Sequence, residues 1–282
     1  MRKRLREKLS NALPPQALTA VYNSFDIIGD IAIIKVASPD AVNAQTVAKQ
    51  ILAIHKNVKT VLCQTSAIKG DFRVRELTLL AGENKTTATH KESGCTFKVD
   101  VEKCYFSPRL LHEHSRIAQL VGDGETVVNM FSGVGCFSII IAKTVPTAKV
   151  YSIDVNPAAV ACMRENVRVN RVYGKVFPLL GDAKEVIQTQ LQDIADRVLM
   201  PLPEKALEYL PVAVSALKQG VGWIHYYGFE HAMGNEDPTE KTKLKVEQKL
   251  GSMGVGFEVT GSRVVRRTGP NWYQTVLDLR VA

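Results

Sequence analysis

The 282-residue chain lacks the marks of membrane, metal-binding and disulfide-built secreted proteins. No apolar run approaches the ~18 residues needed to cross a bilayer. The start, MRKRLREKLSNALPPQ, is basic without the apolar stretch of a signal peptide; it reads as a basic helix or linker over 1–19, broken at Pro14 and Pro15. The five cysteines (Cys63, Cys95, Cys104, Cys136 and Cys162) include no CxxC pair and no metal-ligand spacing. Their odd number and the missing export signal point to free thiols in a reducing cytoplasm, with no zinc. Repeats and low-complexity tracts are also missing. A hydrophobic fraction of 45% with 23% charged residues is enough for a packed core and excludes wholesale disorder.

What the chain does have is positive charge. The formal net charge is +8, an excess that favours a polyanionic partner through phosphate neutralisation. Its patterning changes along the length. From 20 to 104, short β-leaning runs (FDIIGDIAIIKVA, VKTVLCQ, FRVRELTLLAG, TATHKESG, TFKVDVEKCYF) surround one helical stretch at 41–55, which predicts a small α+β domain. From 105 to 282, strands alternate with helices. TVVNMF, KVYSIDVN, KVFPLLGDA, ADRVLMPLP and GVGWIHYYGFE are the strands, and SIIIAKTV, PAAVACMRENVRVN and EKALEYLPVAVSALKQ are helices between them. Such alternation predicts a doubly wound, mostly parallel sheet. FEVTGSRVVRR and YQTVLDLRVA around TGPNW predict an antiparallel hairpin at its edge, an ending typical of methyltransferase-type sheets.

Ligands of such sheets sit at the carboxyl ends of the strands. There the stretch NMFSGVGCFS places Gly133 and Gly135 directly after a strand, where glycine allows a tight turn and close approach of a ligand to the main chain. No third glycine follows two residues on, which disfavours a dinucleotide fingerprint. Asp154 ends the second strand and Asp182 the third. Each is either a helix N-cap or an acceptor for a nucleoside, the first for ribose hydroxyls and the second for an adenine amino group. MPLPEKA ends the fourth strand, where Pro203 or Glu204 opens a helix and a target base can also be met. In YFSPRLLHEHSRIAQLV, Arg109 and Arg116 read as surface charges and Glu113 as a helix carboxylate, unless their place just before the glycine turn gives them a catalytic use.

Taken together, SFDIIGDIAII, FRVRELTLLAGENKT, HKESGCTFKVDVEKCYFSPRL, FSGVGCFSI, YSIDVNPAAV, GDAKEV, ADRVLMPLP and IHYYGF resemble the archaeal and eukaryotic tRNA (guanine-N1)-methyltransferases acting on the guanosine 3′ of the anticodon. The resemblance implies a Rossmann-like class I methyltransferase domain, with a mostly parallel seven-stranded sheet, preceded by the small α+β domain. It implies S-adenosyl-L-methionine as donor and the tRNA anticodon stem-loop as partner, for a cytoplasmic monomer that uses neither metal nor membrane. Glu113 matches the family's proposed base for the guanine N1 proton, Arg73 matches an arginine linked to catalysis, and Arg109 lies where the family's substrate-contacting segment lies. Phe131, Gly133, Gly135, Asp154 and Asp182 match cofactor contacts, with His114, Val155, Ala183 and Pro201 at positions of the same ligand.

Three positions depart from the pattern. Asn129 stands where an acid is commoner, His114 replaces a cofactor-holding arginine, and Pro201 replaces an asparagine. The Met-Pro-Leu-Pro variant resembles a subfamily that also methylates the wyosine precursor. The elbow-gripping N-terminal domain of many members is missing from the resemblance. Two further readings are an aminocarboxypropyl transferase using the same cofactor and a non-catalytic RNA-binding protein.

Overall fold

The computed structural model describes residues 25–35 and 42–282. The basic stretch over 1–19 lies outside them. The chain divides into two compact units, Met1–Pro108 and Arg109–Ala282.

In the first unit, β1 (Asp26–Ile28) and β2 (Ile31–Ile34) form an antiparallel hairpin. Helix α1 (Val42–Ile54) crosses over to β3 (Thr60–Gln64), parallel to β2, and β4 (Leu77–Gly82) closes the sheet in the order β1-β2-β3-β4. Ala32, Ile34, Val47, Ala48, Ile51 and Val61 bury the contact between α1 and the sheet. A separate hairpin, β5 (Thr87–Glu92) with β6 (Cys95–Asp100), packs at the β1–β2 turn. Gly29 there has φ 58°, and a Cβ would lie 2.3 Å from the Thr89 carbonyl oxygen. Only glycine serves at so close an approach.

The second unit opens with α2 (Leu111–Leu120) and builds a seven-stranded sheet. Its strands are β7 (Thr126–Asn129), β8 (Lys149–Asp154), β9 (Val176–Leu180), β10 (Arg197–Met200), β11 (Gly222–His231), β12 (Phe257–Gly269) and β13 (Trp272–Val281). The order is β12-β13-β11-β10-β7-β8-β9. β13 is antiparallel to both of its neighbours, so it alone of the seven runs against the rest. The order turns back between β7 and β10, and a ligand crevice is expected at their carboxyl ends.

Helices α3 (Cys136–Thr144), α4 (Pro157–Val169), the short α5 (Ala183–Val186) and α6 (Pro203–Ala216) follow β7 to β10 in turn. Val128, Met130, Val198, Met200, Ala206, Leu210 and Ile224 form the centre of the core. The mostly parallel sheet and its C-terminal hairpin are as the pattern implied. The hairpin turn is tighter than TGPNW suggested: β12 runs through Gly269, leaving Pro270 and Asn271, with Asn271 at φ 57°.

One element has no counterpart in the sequence reading. Helix α7 (Pro238–Ser252) connects β11 to β12. Asp237 caps it, accepting from the Thr239 amide at 2.7 Å, and Pro238 supplies the first turn. Its buried face is only Pro238, Thr239, Thr242, Val246 and Leu250 amid lysines and glutamates. So thin an apolar stripe carries little periodic signal.

Candidate functional site

After β7 the chain turns sharply. Ser132 donates through both its amide and its hydroxyl to the Ile153 carbonyl at 2.8 Å. Gly133 (φ 55°) donates its amide to Asp154 Oδ2 at 2.7 Å. Gly135 (φ 92°) is the N-cap of α3, and a Cβ there would meet the Met163 side chain at 2.9 Å. Both glycines hold left-handed backbone in the tight turn, and Gly135 also gives room to the Met163 side chain.

The two aspartates divide the alternatives left open for them. Asp154 is not the cap of α4; Asn156 is, accepting from the Ala158 amide at 3.0 Å. Asp154 instead accepts from the amides of Gly133 and, at 2.9 Å, Asn156. Burial pushes its carboxyl above the ordinary value, and these two donors only partly offset it. Asp182 does cap α5, accepting from Lys184 at 2.8 Å. Its second oxygen accepts from the Tyr209 hydroxyl at 2.5 Å. Phe131 meets the Tyr209 ring edge-on at 5.3 Å, so the loop after β7 and the end of β9 are joined through α6. Val155 is exposed beside Asp154, Ala183 is buried at the start of α5, and Pro201 is half-buried after β10.

Glu113 lies on α2 and is 1% exposed. Arg116, one turn on, donates Nη2 to its Oε1 at 2.7 Å and Nε to its Oε2 at 3.1 Å. The Tyr227 hydroxyl donates to Oε1 at 2.7 Å, and Arg263 Nη2 stands 3.1 Å from Oε2. Arg116 and Tyr227 thus supply the hydrogen bonds of this carboxylate, and Arg263 adds an ion pair. Burial and the adjacent Glu113 charge push the Tyr227 hydroxyl well above its ordinary value, so it remains a donor. The neighbouring His114 is buried and sits edge-on to Phe137 of α3 at 4.4 Å, which brings this carboxylate's helix against the helix that the glycine turn opens.

Arg116 also donates to both oxygens of Asp278 on β13, at 2.6 and 3.1 Å. Asp278 Oδ1 is 2.5 Å from His225 Nδ1, and Arg197 Nη1 is 2.7 Å from His225 Nε2. Arginine can only donate, so Nε2 is the acceptor and Nδ1 carries the proton to Asp278. Burial, with Arg197 and Arg116 nearby, outweighs Asp278 and keeps this imidazole neutral. Arg197 ends the chain on Glu125 at 2.7 Å and donates to the Leu120 carbonyl, the last residue of α2, at 2.7 Å. Three arginines and three carboxylates thus balance along a buried polar spine that fixes α2 to the sheet at both ends.

Arg116 was read as a surface charge, and that is corrected: its side chain is 18% exposed and couples α2 to β13. Its guanidinium is held above its ordinary value because the hydrogen bonds of Glu113 and Asp278 outweigh the cost of burial. Arg109 is exposed in the 3-10 turn Pro108–Leu110. Arg73 belongs to the first unit, where its guanidinium lies 4.8 Å over the Tyr105 ring. Its φ of 52° is rare for a side-chain-bearing residue and holds it in a strained turn. Tyr209, Tyr227, His225, Arg263 and Asp278 were not singled out. The only local signal for two of them was a histidine and a tyrosine inside the otherwise apolar strand IHYYGF.

Residues 88–252 match the TRM5/TYW2 methyltransferase domain model. The chain belongs to the TRM5/TYW2 methyltransferase family. Residues 5–86 match the TYW2 N-terminal domain model. A tRNA (guanine(37)-N(1))-methyltransferase, Trm5b of Pyrococcus abyssi, is 41% identical over 96% of this chain and 78% of its own. The tRNA 4-demethylwyosine(37)-methyltransferase Taw21 of Saccharolobus solfataricus is 35% identical over 92% and 94%. A tRNA(Phe) (4-demethylwyosine(37)-C(7)) aminocarboxypropyltransferase of Methanocaldococcus jannaschii is 33% identical over 90% and 96%. Among solved structures, aTrm5 in complex with tRNALeu superposes with a TM-score of 0.86 at 32% identity, covering 100% of this chain and 79% of that one. Pyrococcus horikoshii TYW2 in complex with MeSAdo gives 0.78 at 28%, covering 98% and 97%.

The TRM5/TYW2 fold here has acceptors suited to an adenosyl cofactor. Asp154 spends one hydrogen bond on each oxygen and keeps further lone pairs with which to accept. Asn129, fully buried at the end of β7, donates to Ser138 Oγ at 3.1 Å while its Oδ1 has no partner. A buried acceptor left open in this way suits a donor group of a ligand. Among the described residues no cluster of metal-ligating side chains occurs, and no helix is long and apolar enough to cross a membrane.

Proposed function

We propose that this protein is a tRNA methyltransferase that transfers the methyl group of S-adenosyl-L-methionine to N1 of guanosine 37. The observation that carries the reading is Glu113, a buried carboxylate on the helix packed against α3, in a chain 41% identical to a tRNA (guanine(37)-N(1))-methyltransferase. The bound cofactor supplies a methyl group on a sulfonium, an electrophile that needs no metal. Asp154 holds the ribose, and Asp182 with Phe131 bounds the adenine. Val155, Ala183 and Pro201 line the same ligand, and His114 seats its tail end. Guanine N1 is a poor nucleophile while protonated, so Glu113 takes that proton as the N1–methyl bond forms and the methyl–sulfur bond breaks, with S-adenosylhomocysteine as the leaving group. Arg73 and Arg109 offset the charge growing on O6. Five cysteines held as thiols fit a cytoplasmic enzyme, which we take to act as a monomer.

For Glu113 to act, one of its charged or hydrogen-bonded partners must withdraw. Arg116 is held by Asp278 and Tyr227 is fully buried, whereas the Arg263 side chain is 41% exposed and only ion-paired. Arg263 is the partner that leaves, drawn off by an RNA phosphate.

Product mass on tRNA made without modification tests the reading. One methyl group at guanosine 37 is expected; an unmodified base ends the proposal. The match of residues 5–86 to the TYW2 N-terminal model favours a second reading, the aminocarboxypropyl transferase. On tRNA carrying the wyosine precursor, a mass gain of the larger group selects that enzyme, while a methyl there adds the Taw21-like activity.

Asp154→Asn is expected to weaken S-adenosylhomocysteine binding about a hundredfold in calorimetry, since hydrogen bonds to a charged group contribute ~1.5–3 kcal/mol each. In the intact protein, affinity is expected to fall on acidification from a pH above the ordinary aspartate value of 3.8, because burial has raised this carboxyl and the protonated form no longer accepts both hydroxyls. Protonation has the opposite sign for folding: a raised carboxyl lowers stability as the pH rises through its folded-state value. A binding curve still flat at the ordinary aspartate value of 3.8 excludes the ribose role.

A further inference from the structure

Strand β10 pairs with β11 only as far as Met200 and Tyr226. Beyond that level Tyr227–His231 continue with β13 as partner, through His231 opposite Trp272. At ~3.3 Å per residue the ribbon β11–β13–β12 therefore projects roughly 16 Å past the end of β10. It projects at the carboxyl edge, the edge on which Gly133, Asp154 and Pro201 lie.

The tip of this ribbon has a distinctive surface. Trp272 is 48% exposed, with His231 edge-on to it at 5.4 Å. Met233 is exposed just after β11. Arg267 is exposed; its guanidinium lies 5.8 Å over the Tyr273 ring and its Nε donates to the Gly269 carbonyl at 3.1 Å. From Val259 to Leu277 the sequence carries Arg263, Arg266 and Arg267 and no acidic residue. Register shifts at Val264/Arg266 and Arg267/Gly269 break the pleat and re-aim these side chains. A large exposed aromatic is a poor choice for solvent. Beside a pre-aimed arginine in an acid-free stretch it suits an unstacked base and its phosphate.

We propose that the β12–β13 tip is a single-strand RNA platform: Trp272 stacks on a nucleobase of the anticodon loop next to the methylated one, and Arg267 meets the adjoining phosphate. This rests on the tRNA reading above. It assigns the platform to whichever loop nucleotide is displaced when the target base leaves its stack.

The chain has two tryptophans, which makes the test direct. Trp223 lies at the opposite end of β11, between Arg197 and Arg280. In a Trp223→Phe background the emission comes from Trp272 alone. Adding an anticodon stem-loop RNA is expected to quench it, saturating in step with tRNA binding. Trp272→Ala is expected to raise the tRNA dissociation constant about tenfold or more, as loss of one stacked base does. Trp272→Phe restores most of that affinity, and unchanged S-adenosylhomocysteine binding reports an intact sheet. Arg267→Ala lowers the slope of log affinity against log salt by about one phosphate. Unquenched emission at saturating RNA, or equal tRNA affinity in Trp272→Ala, overturns the platform. Methyl transfer assayed on the same samples separates this outcome from failure of the methyltransferase reading, in which no label enters RNA at all.

Discussion

Glu113→Gln is expected to lower single-turnover methyl transfer to tRNA by about 10²–10⁴-fold, the usual contribution of a positioned proton acceptor. Glutamine keeps the size of the side chain but cannot hold the N1 proton. It also turns an NH₂ towards Arg116, Tyr227 or Arg263, all of them donors, so some loss of stability accompanies the loss of rate. The two effects separate experimentally. Cofactor binding in calorimetry persists when only chemistry is lost, and disappears when α2 has come away from the sheet. A variant that binds cofactor and tRNA yet methylates at the rate of the intact protein removes Glu113 from the reaction.

Asp278→Ala is expected to destabilise the second unit by about 3–5 kcal/mol, the cost of leaving one partner of a buried ion pair uncompensated. For a domain of this size that corresponds to a fall of roughly 10 °C in melting temperature. Arg116 would lose two of its acceptor contacts and His225 the acceptor of its Nδ1 proton. Methyl transfer is expected to fall as well, because Glu113 is aligned through Arg116.

The pH dependence carries the same signature. Burial alone would raise the Asp278 carboxyl, but the bonds from His225 and Arg116 outweigh it and hold it below the ordinary 3.8. Its stabilisation is therefore complete above the unfolded value and is lost as the pH falls through the lower folded value. His225, kept neutral by burial, contributes stability above 6.5 that is lost below it. Intact protein is expected to lose stability in two stages on acidification, first below about 6.5 and again in strong acid. Asp278→Asn lacks the second stage. Urea unfolding at a series of pH values measures both, and coincident curves for the two proteins rule out the spine as described.

The sheet was legible because parallel strands covered on both faces are near-continuous apolar runs, as in TVVNMF and RVLM, each followed by helical spacing. The glycine turn was legible because a sharp turn after a strand demands left-handed backbone, and Asp154 because an acid ending the next strand stands out in an apolar run. Glu113 and Arg73 were reached through family resemblance, since a glutamate on a helix and an arginine in a turn are unremarkable by themselves. The polar spine was not legible. Arg116 and Asp278 are 162 residues apart, and nothing in the neighbourhood of either states the pairing. Helix α7 escaped for a different reason: its cap Asp237-Pro238 is plainly present, but its buried stripe is one residue wide.

The strand that runs against its six companions is also the last to be made. β13 slots between β11 and β12, both synthesised before it, and brings Asp278 into place only then. A nascent chain stopped short of Trp272 leaves Arg116 without its anchor and the two flanking strands with open edges. Those edges are open to pairing with other chains, so Glu113 and Arg116 reach their final arrangement only once the last strand of the sheet is in place.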